Sequence, residues 1–378
     1  MKGKVWIVVS VLLGLCALTT TPARAATDVI TIRNPQTGEK RQYFVVILEE
    51  NYTHLKVKFE EQNEVRDIPI EQDGQRILVD VQRRPVPQKY AEAMMAYQKQ
   101  EYAEAFESYK ASAAAVAEYP WLPGYIRFHA ADAAFKEAKY AQFDEAGKQK
   151  WYGLAAEQFD KLLKEHPKHR FAPDAHMGLA RSLMRQNQFD RARAAFTAIE
   201  NSDYPSGVRE AARVWAARLL VEEANEASAR EKAEALLNEA IEKLSQLNQQ
   251  YKENRPELAY LALLSEGYAW QGLKKYPKAE DLFEQVGLRS PDDEMRAEAF
   301  NSRGLSLMNR GDSREALLSF LRVVVLHYDI DSEYQRALYY AAKSSKDYYG
   351  TDQRFKELRQ RLQVRFPNSH WTKLAEQL

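Results

Sequence analysis

The chain of 378 residues has a single cysteine, Cys16. No disulfide can form within it, so packing alone must hold the fold, although an oxidising compartment is permitted. An excess of one charge is also missing. The 54 basic side chains match the 54 acidic ones, which excludes the broad basic field expected of a protein whose main partner is nucleic acid. There is no glycine-rich phosphate loop and no Gly-x-Ser-x-Gly elbow. Long apolar runs are scarce. After Val5–Leu18 none approaches the roughly 20 residues of a membrane span, so the chain beyond it is expected to be soluble.

That one run has a specific form. Lys2 and Lys4 precede it, and Ala23-Arg24-Ala25 follows as a small-x-small cleavage site. Residues 1–25 therefore read as a secretory signal peptide, leaving Ala26 as the mature start. Leu15 stands before Cys16 where a lipoprotein would carry a small residue. Loss of Lys2, Lys4 and Arg24 leaves a small net negative charge and no stable membrane span.

The dominant pattern is a repeated pair. Ala105/Tyr109, Ala155/Phe159, Ala192/Phe196, Ala240/Leu244, Ala279/Phe283 and Ala316/Phe320 each place a small residue four before a large apolar one. That spacing puts both on one face of a helix. The stripe continues three residues on with Leu162, Ile199, Leu247, Val286 and Val323, and Ser112 breaks it in the first copy. A helical hairpin of this kind cannot bury its apolar face alone, so copies stack.

The units resemble tetratricopeptide repeats. One copy reads Gly267, Trp270, Tyr276, Ala279, Phe283, and the next Gly304, Leu307, Gly311, Ala316, Phe320. A third, from Pro173 to Pro205, carries Ala180, Leu183, Phe189, Ala192, Phe196 and Ile199. The first has Ala93, Ala96, Tyr102, Ala105 and Tyr109. The resemblance spans residues 86–366. The intervals Ala105 to Ala155 and Ala192 to Ala240 well exceed the family period of about 34 residues. The surplus falls near Ala138–Trp151, as a longer helix or a loop, and near Val221–Glu234, as two long helices. Tyr334–Leu378 lacks the Ala/Phe pair and reads as a degenerate repeat and cap.

Ahead of the helices the periodicity is alternating. Val29–Ile32, Tyr43–Leu48, Leu55-Val57-Phe59, Val65-Ile68-Ile70 and Ile77–Val79 are strand candidates, with turn chemistry at Asn34–Gly38. Five short strands suggest a small SH3-like β-barrel over residues 26–82. Similar β modules precede helical repeats in exported bacterial proteins. Residues 83–87, with Pro85 and Pro87, form a linker, and residues 88–378 the mainly α TPR-like solenoid.

Residues that could carry chemistry do not converge. His129 stands upstream of His166, His169 and His176, which are read as polar turn residues on a solvated edge, not metal ligands. Glu49-Glu50, Glu60-Glu61 and Glu222-Glu223 are read as surface charge, since nothing pairs them as acid and base. The sequon Asn51-Tyr52-Thr53 matters only in a host that glycosylates it. No cofactor, metal or catalytic group is expected.

The resemblance to the repeat family implies that the first helix of each unit lines a concave face. The implied partner-binding residues are Arg181, Arg185, Leu264, Tyr268, Asn301, Leu305 and Asn309, with Arg181 and Arg185 placed to grip a carboxylate. The chain also resembles periplasmic repeat proteins of outer-membrane assembly and cell-division coordination. The expectation is a non-catalytic envelope scaffold, most readily periplasmic, that binds a protein or peptide partner. The alternative is a glycan-binding or enzyme-accessory module using Tyr43, Phe44 and Tyr52 of the β domain.

Overall fold

The structure, a computed structural model, describes residues 27–378 apart from 61, 73–74, 141–144 and 368. The signal peptide, Cys16, the Ala26 start and Glu61 therefore lie outside the described residues.

The chain opens with strands β1 (Asp28–Arg33), β2 (Lys40–Glu50), β3 (His54–Phe59) and β4 (Glu64–Pro69). Two short strands, β5 (Glu71–Gln72) and β6 (Gln75–Arg76), pair with each other before β7 (Leu78–Gln82). The five long strands form one antiparallel sheet in the order β4-β3-β2-β1-β7. The last strand returns beside the first, consistent with the SH3-like expectation. The alternation in β3 sends Leu55, Val57 and Phe59 inward, where they join Ile30, Val45, Leu78 and Val81. The Asn34 side chain accepts hydrogen bonds from the amides of Gln36 and Thr37, and Gly38 takes φ +73°, closing the β1–β2 turn.

The helices follow as stacked antiparallel hairpins. They are α1 (Gln88–Gln98) with α2 (Tyr102–Ala111), α3 (Leu122–Tyr140) with α4 (Glu145–Glu165), and α5 (Ala172–Arg185) with α6 (Phe189–Glu200). Next come α7 (Ser206–Glu226) with α8 (Arg230–Tyr251), α9 (Pro256–Gly272) with α10 (Tyr276–Arg289), and α11 (Asp293–Arg310) with α12 (Ser313–Leu326). The array closes with α13 (Asp331–Tyr349), α14 (Gln353–Arg365) and α15 (His370–Glu376). This is a TPR-like α-solenoid behind a small β module. The surplus chain in the second and fourth hairpins lengthens helices: α4 has 21 residues, α7 21 and α8 22.

The six pairs of alanine with a large apolar residue explain the stacking. All twelve of their side chains are buried, Phe196, Phe283 and Phe320 completely. In two hairpins the first helix presents glycine to the aromatic ring of the second. A Cβ on Gly267 or Gly304 would stand 2.5 Å from Phe283 or Phe320, so only glycine permits that approach. The turns inside the hairpins also repeat a conformation. Gln100, Asn187, Lys274 and Gly311, each two residues before the second helix, have φ between +58° and +90°. Only the last is the glycine that the left-handed region favours.

The β module is fastened to the solenoid by a buried carboxylate, which corrects the reading of Glu50 as surface charge. The Glu50 side chain is 8% exposed; it accepts from Tyr125 Oη at 2.7 Å and pairs with Arg170 Nε at 2.9 Å and Arg83 Nη2 at 3.7 Å. Arg83 also pairs with Asp28 at 2.9 Å and lies over the Trp121 ring. A second contact comes from Tyr52. Its hydroxyl donates to Asp203 at 2.9 Å, and its ring meets Tyr204 edge-on at 5.1 Å.

Candidate functional site

The first helices of five hairpins face one cavity. It has a volume of about 350 Å³ and is lined from α3 by Phe135, Lys139 and Tyr140, from α5 by Arg181, from α7 by Trp215 and Arg218, from α9 by Leu264 and from α11 by Glu294 and Glu298. Five consecutive hairpins thus contribute to one concave groove.

Its walls carry an ordered set of charges. The Arg218 guanidinium reaches Glu298 at 3.5 Å and Glu222 at 3.7 Å, and Arg185 pairs with Glu222 at 3.2 Å. Tyr268 Oη donates to Glu298 at 2.7 Å and lies 2.9 Å from Ser302 Oγ. Farther along, Asn301 Nδ2 donates to Glu333 Oε2 at 2.7 Å, and Arg336 pairs with Glu333 at 3.5 Å. Burial lifts the Glu333 carboxyl, against the pull of Arg336. Burial works the same way on Glu298, but Arg218 and the Tyr268 hydroxyl outweigh it and hold that carboxyl below its ordinary value.

Arg181 differs from its neighbours. Its guanidinium is stacked between two rings, 4.3 Å from the centroid of Trp215 and 4.9 Å from that of Phe135. Among the described residues it forms no ion pair. Burial, then the nearby cations Arg185 and Arg218, pull it down to about 10, so it is charged at neutral pH with no fixed counter-charge among the described residues.

The groove is bridged at one point. Lys139 Nζ lies 2.6 Å from Glu294 Oε1, and Tyr140 Oη donates to the same carboxylate at 3.1 Å and 3.2 Å. This contact joins the end of α3 to the start of α11. Beyond it a second cavity of about 560 Å³ is lined by Lys99, Tyr102, Asp331 and Phe366, and shares Lys136, Tyr140 and Glu294 with the first.

The seven residues implied by the resemblance are distributed unequally. Arg181 and Leu264 line the cavity, and Arg185 and Tyr268 belong to the charge network beside it. One expectation needs correction. Asn301 is fully buried and outside the cavity lining, so it offers no side chain to a partner's surface, whereas Leu264 is 1% exposed but lines the cavity. Asn301 instead ties α11 to the first turn of α13. Leu305 packs against the C-terminal core, and Asn309 is exposed near the end of α11, apart from the cavity. Phe135, Lys139, Trp215, Arg218 and Glu294 were missed. An aromatic or basic residue on the first helix of a long unit was the available signal for four of them; Glu294 had none, since the Lys139–Glu294 contact crosses 155 residues of chain and leaves no local trace.

The histidines also need correction. His169 does not sit on a solvated edge but packs, with the upstream His129, among Tyr125 and Phe171. Burial first, then Arg170, pulls each down to about 3, so both are neutral at pH 7. His176 meets Tyr204 Oη at 2.9 Å. Among the described residues no cluster of three or more His, Cys, Asp or Glu side chains is placed to hold a metal ion, and no helix is long and apolar enough to cross a membrane.

Residues 148–209 match the tetratricopeptide repeat family model. That stretch runs from α4 into α7. No curated protein matches. Among solved structures, a tetratricopeptide repeat protein from Parabacteroides merdae is 14% identical, with 77% of this chain and 100% of that one covered at a TM-score of 0.44. PilW, a type IV pilus biogenesis factor, is 17% identical over 65% of this chain and 97% of its own, with a TM-score of 0.40. NprR in complex with its cognate peptide NprX is 11% identical over 76% and 79%, with a TM-score of 0.45. These scores carry nothing about partners, and the architecture rests on the hairpins themselves.

Proposed function

We propose that the chain is a non-catalytic scaffold that binds an acidic segment of a protein partner in the concave groove and acts in the cell envelope after export. Arg181 carries this reading. A guanidinium held between two rings and, among the described residues, lacking a counter-charge is preorganised for a carboxylate, and charge-assisted bonds are the strong ones. The groove is long enough in residues to take an extended segment, the usual mode for a helical-repeat surface. The envelope part of the reading rests on the sequence of residues 1–25 and is tested by N-terminal sequencing of the exported protein.

The glycan alternative has less to rest on. Tyr43 is packed edge-on against Phe59 and Tyr52 is spent on the solenoid, which leaves Phe44 alone exposed.

Titration calorimetry with a synthetic oligoglutamate, and oligoglutamine as control, tests the groove. Arg181→Gln should weaken oligoglutamate binding by about 1.5–3 kcal/mol, the worth of a hydrogen bond to a charged group, with unchanged helical circular dichroism. Equal affinities for wild type and variant would remove Arg181 from the site. The double reversal of Arg181 and Arg185 to Glu is a poor probe, because Arg185 supports Glu222 and its loss would disturb the wall.

A further inference from the structure

We infer that Glu294 is an internal stand-in for the partner's carboxylate: it occupies Lys139 and Tyr140 across the groove until an acidic segment displaces it. This rests on the reading of the groove as an acidic-segment site and adds how that site is controlled.

Three observations carry it. First, the clasp is the wall between two cavities, since Lys136, Tyr140 and Glu294 line both. Opening it joins them into one continuous channel. Second, the cation it occupies lines the same cavity as Arg181. Releasing Lys139 from Glu294 would give an incoming segment a second anchor and a phenol donor beside the unpaired guanidinium. Third, the clasp is built to exchange. Lys139 and Glu294 are 37% and 35% exposed, and ion pairs at that exposure are weak and screened by salt. Glu294 also sits in the first turn of α11, which is held independently by the Asp292 side chain accepting from the Met295 amide at 2.8 Å. The side chain can swing away without loosening its helix. The adjacent Asp293 pairs with Arg296 and does not substitute.

A carboxylate is the chemistry that such a device selects. An incoming acidic side chain takes over the bonds Glu294 gives up, so little is lost on exchange. A basic or neutral segment would have to break the clasp without replacing it. A closed clasp lowers apparent affinity by the fraction of time it is shut.

The test is the affinity of the full chain for oligoglutamate, measured for wild type, Glu294→Gln and Lys139→Gln. Glu294→Gln should bind about three- to tenfold more tightly, by removing both the competitor and its repulsion of the ligand. Lys139→Gln should bind more weakly, because the clasp is lost together with the anchor. Circular dichroism and thermal midpoints confirm that each variant is folded. Binding by wild type with an equal or weaker Glu294→Gln would overturn the stand-in and leave the acidic-segment reading intact. Tighter binding by Lys139→Gln would show that the clasp is only an obstruction and that Lys139 is no anchor, again against the inference. No binding by any of the three, Glu294→Gln included, would overturn both readings. Wild type silent with Glu294→Gln binding is the strongest support.

Discussion

Phe283→Ala, alone and with Gly267→Ala, tests how the hairpins are held. Phe283 is fully buried among Leu264, Ala279, Val286 and Ala299, with Tyr268 edge-on at 5.2 Å. Removing its ring forfeits about 2 kcal/mol of transfer energy. A residual void of roughly 60 Å³ at about 24 cal/mol per Å³ adds about 1.5 kcal/mol. Tyr268 cannot tip in to fill it, because its hydroxyl is held by Glu298 and Ser302. The single change should therefore cost about 3–5 kcal/mol. Gly267→Ala alone puts a Cβ 2.5 Å from the Phe283 ring; overpacking costs about 1–3 kcal/mol, partly offset by about 1 kcal/mol of helix propensity. With the ring gone the same methyl enters empty space. The double variant should be less damaged than the sum by about 1–3 kcal/mol. Urea unfolding followed by hydrogen exchange in α9 and α10 reads the cycle and shows whether the loss spreads to neighbouring hairpins, as nearest-neighbour coupling requires. Strictly additive losses would show that glycine and ring do not meet.

The solenoid was legible because its signal is local and periodic. Each Ala/aromatic pair lies within one helix, so four residues of sequence suffice to mark a buried face, and the two long units declared themselves through the intervals between alanines. The β module was legible for the same reason: in Leu55–Phe59 the sheet period is written directly. What escaped depends on where distant parts meet. Glu50 looks like one of a pair of hairpin carboxylates; only Tyr125, Arg170 and Arg83, brought in from other elements, make it a buried anchor. His169 looks like a polar residue in a turn until Phe171 and Tyr125 close around it.

The groove shows the same division. Arg181 could be placed on the concave side from its helix position, and the cavity includes it. Its lack of a counter-charge could not be seen, because that depends on Glu222 turning to Arg185 and Arg218 instead. The carried-over register failed at Asn301. There α11 spends its inward amide on the next hairpin, which is a packing need of the array and not a recognition site. The clasp from α3 to α11 follows from the curvature of the whole solenoid, and curvature is a sum of small rotations that no single repeat encodes.

Two further predictions concern the N-terminus and acid. The mature protein should begin at Ala26, since Ala23-Arg24-Ala25 follows the apolar run; N-terminal sequencing checks this, and a chain in the membrane fraction still carrying Met1 would refute it. Acid should destabilise the fold through His129 and His169. Both are held near 3 when folded, against 6.5 when free. Above pH 6.5 neither state takes up the proton and stability is flat with respect to these groups. Below it the unfolded chain binds protons that the folded one refuses, so stability falls as pH drops from 6.5 toward 3. The loss at pH 5 relative to pH 8 is about 2 kcal/mol per histidine, and is insensitive to the folded value as long as that stays well below 5. His129→Phe keeps an aromatic ring among Tyr109, Tyr125 and Phe171 but cannot take a proton. It should therefore remove about half of the histidine contribution, and the pH 5 urea midpoint should rise relative to wild type while the pH 8 midpoint moves less. Because the carboxylates titrate identically in both proteins, their contribution cancels in that difference. An identical pH dependence in wild type and variant would mean that His129 is already protonated in the folded state, and that the aromatic cluster does not exclude the charge.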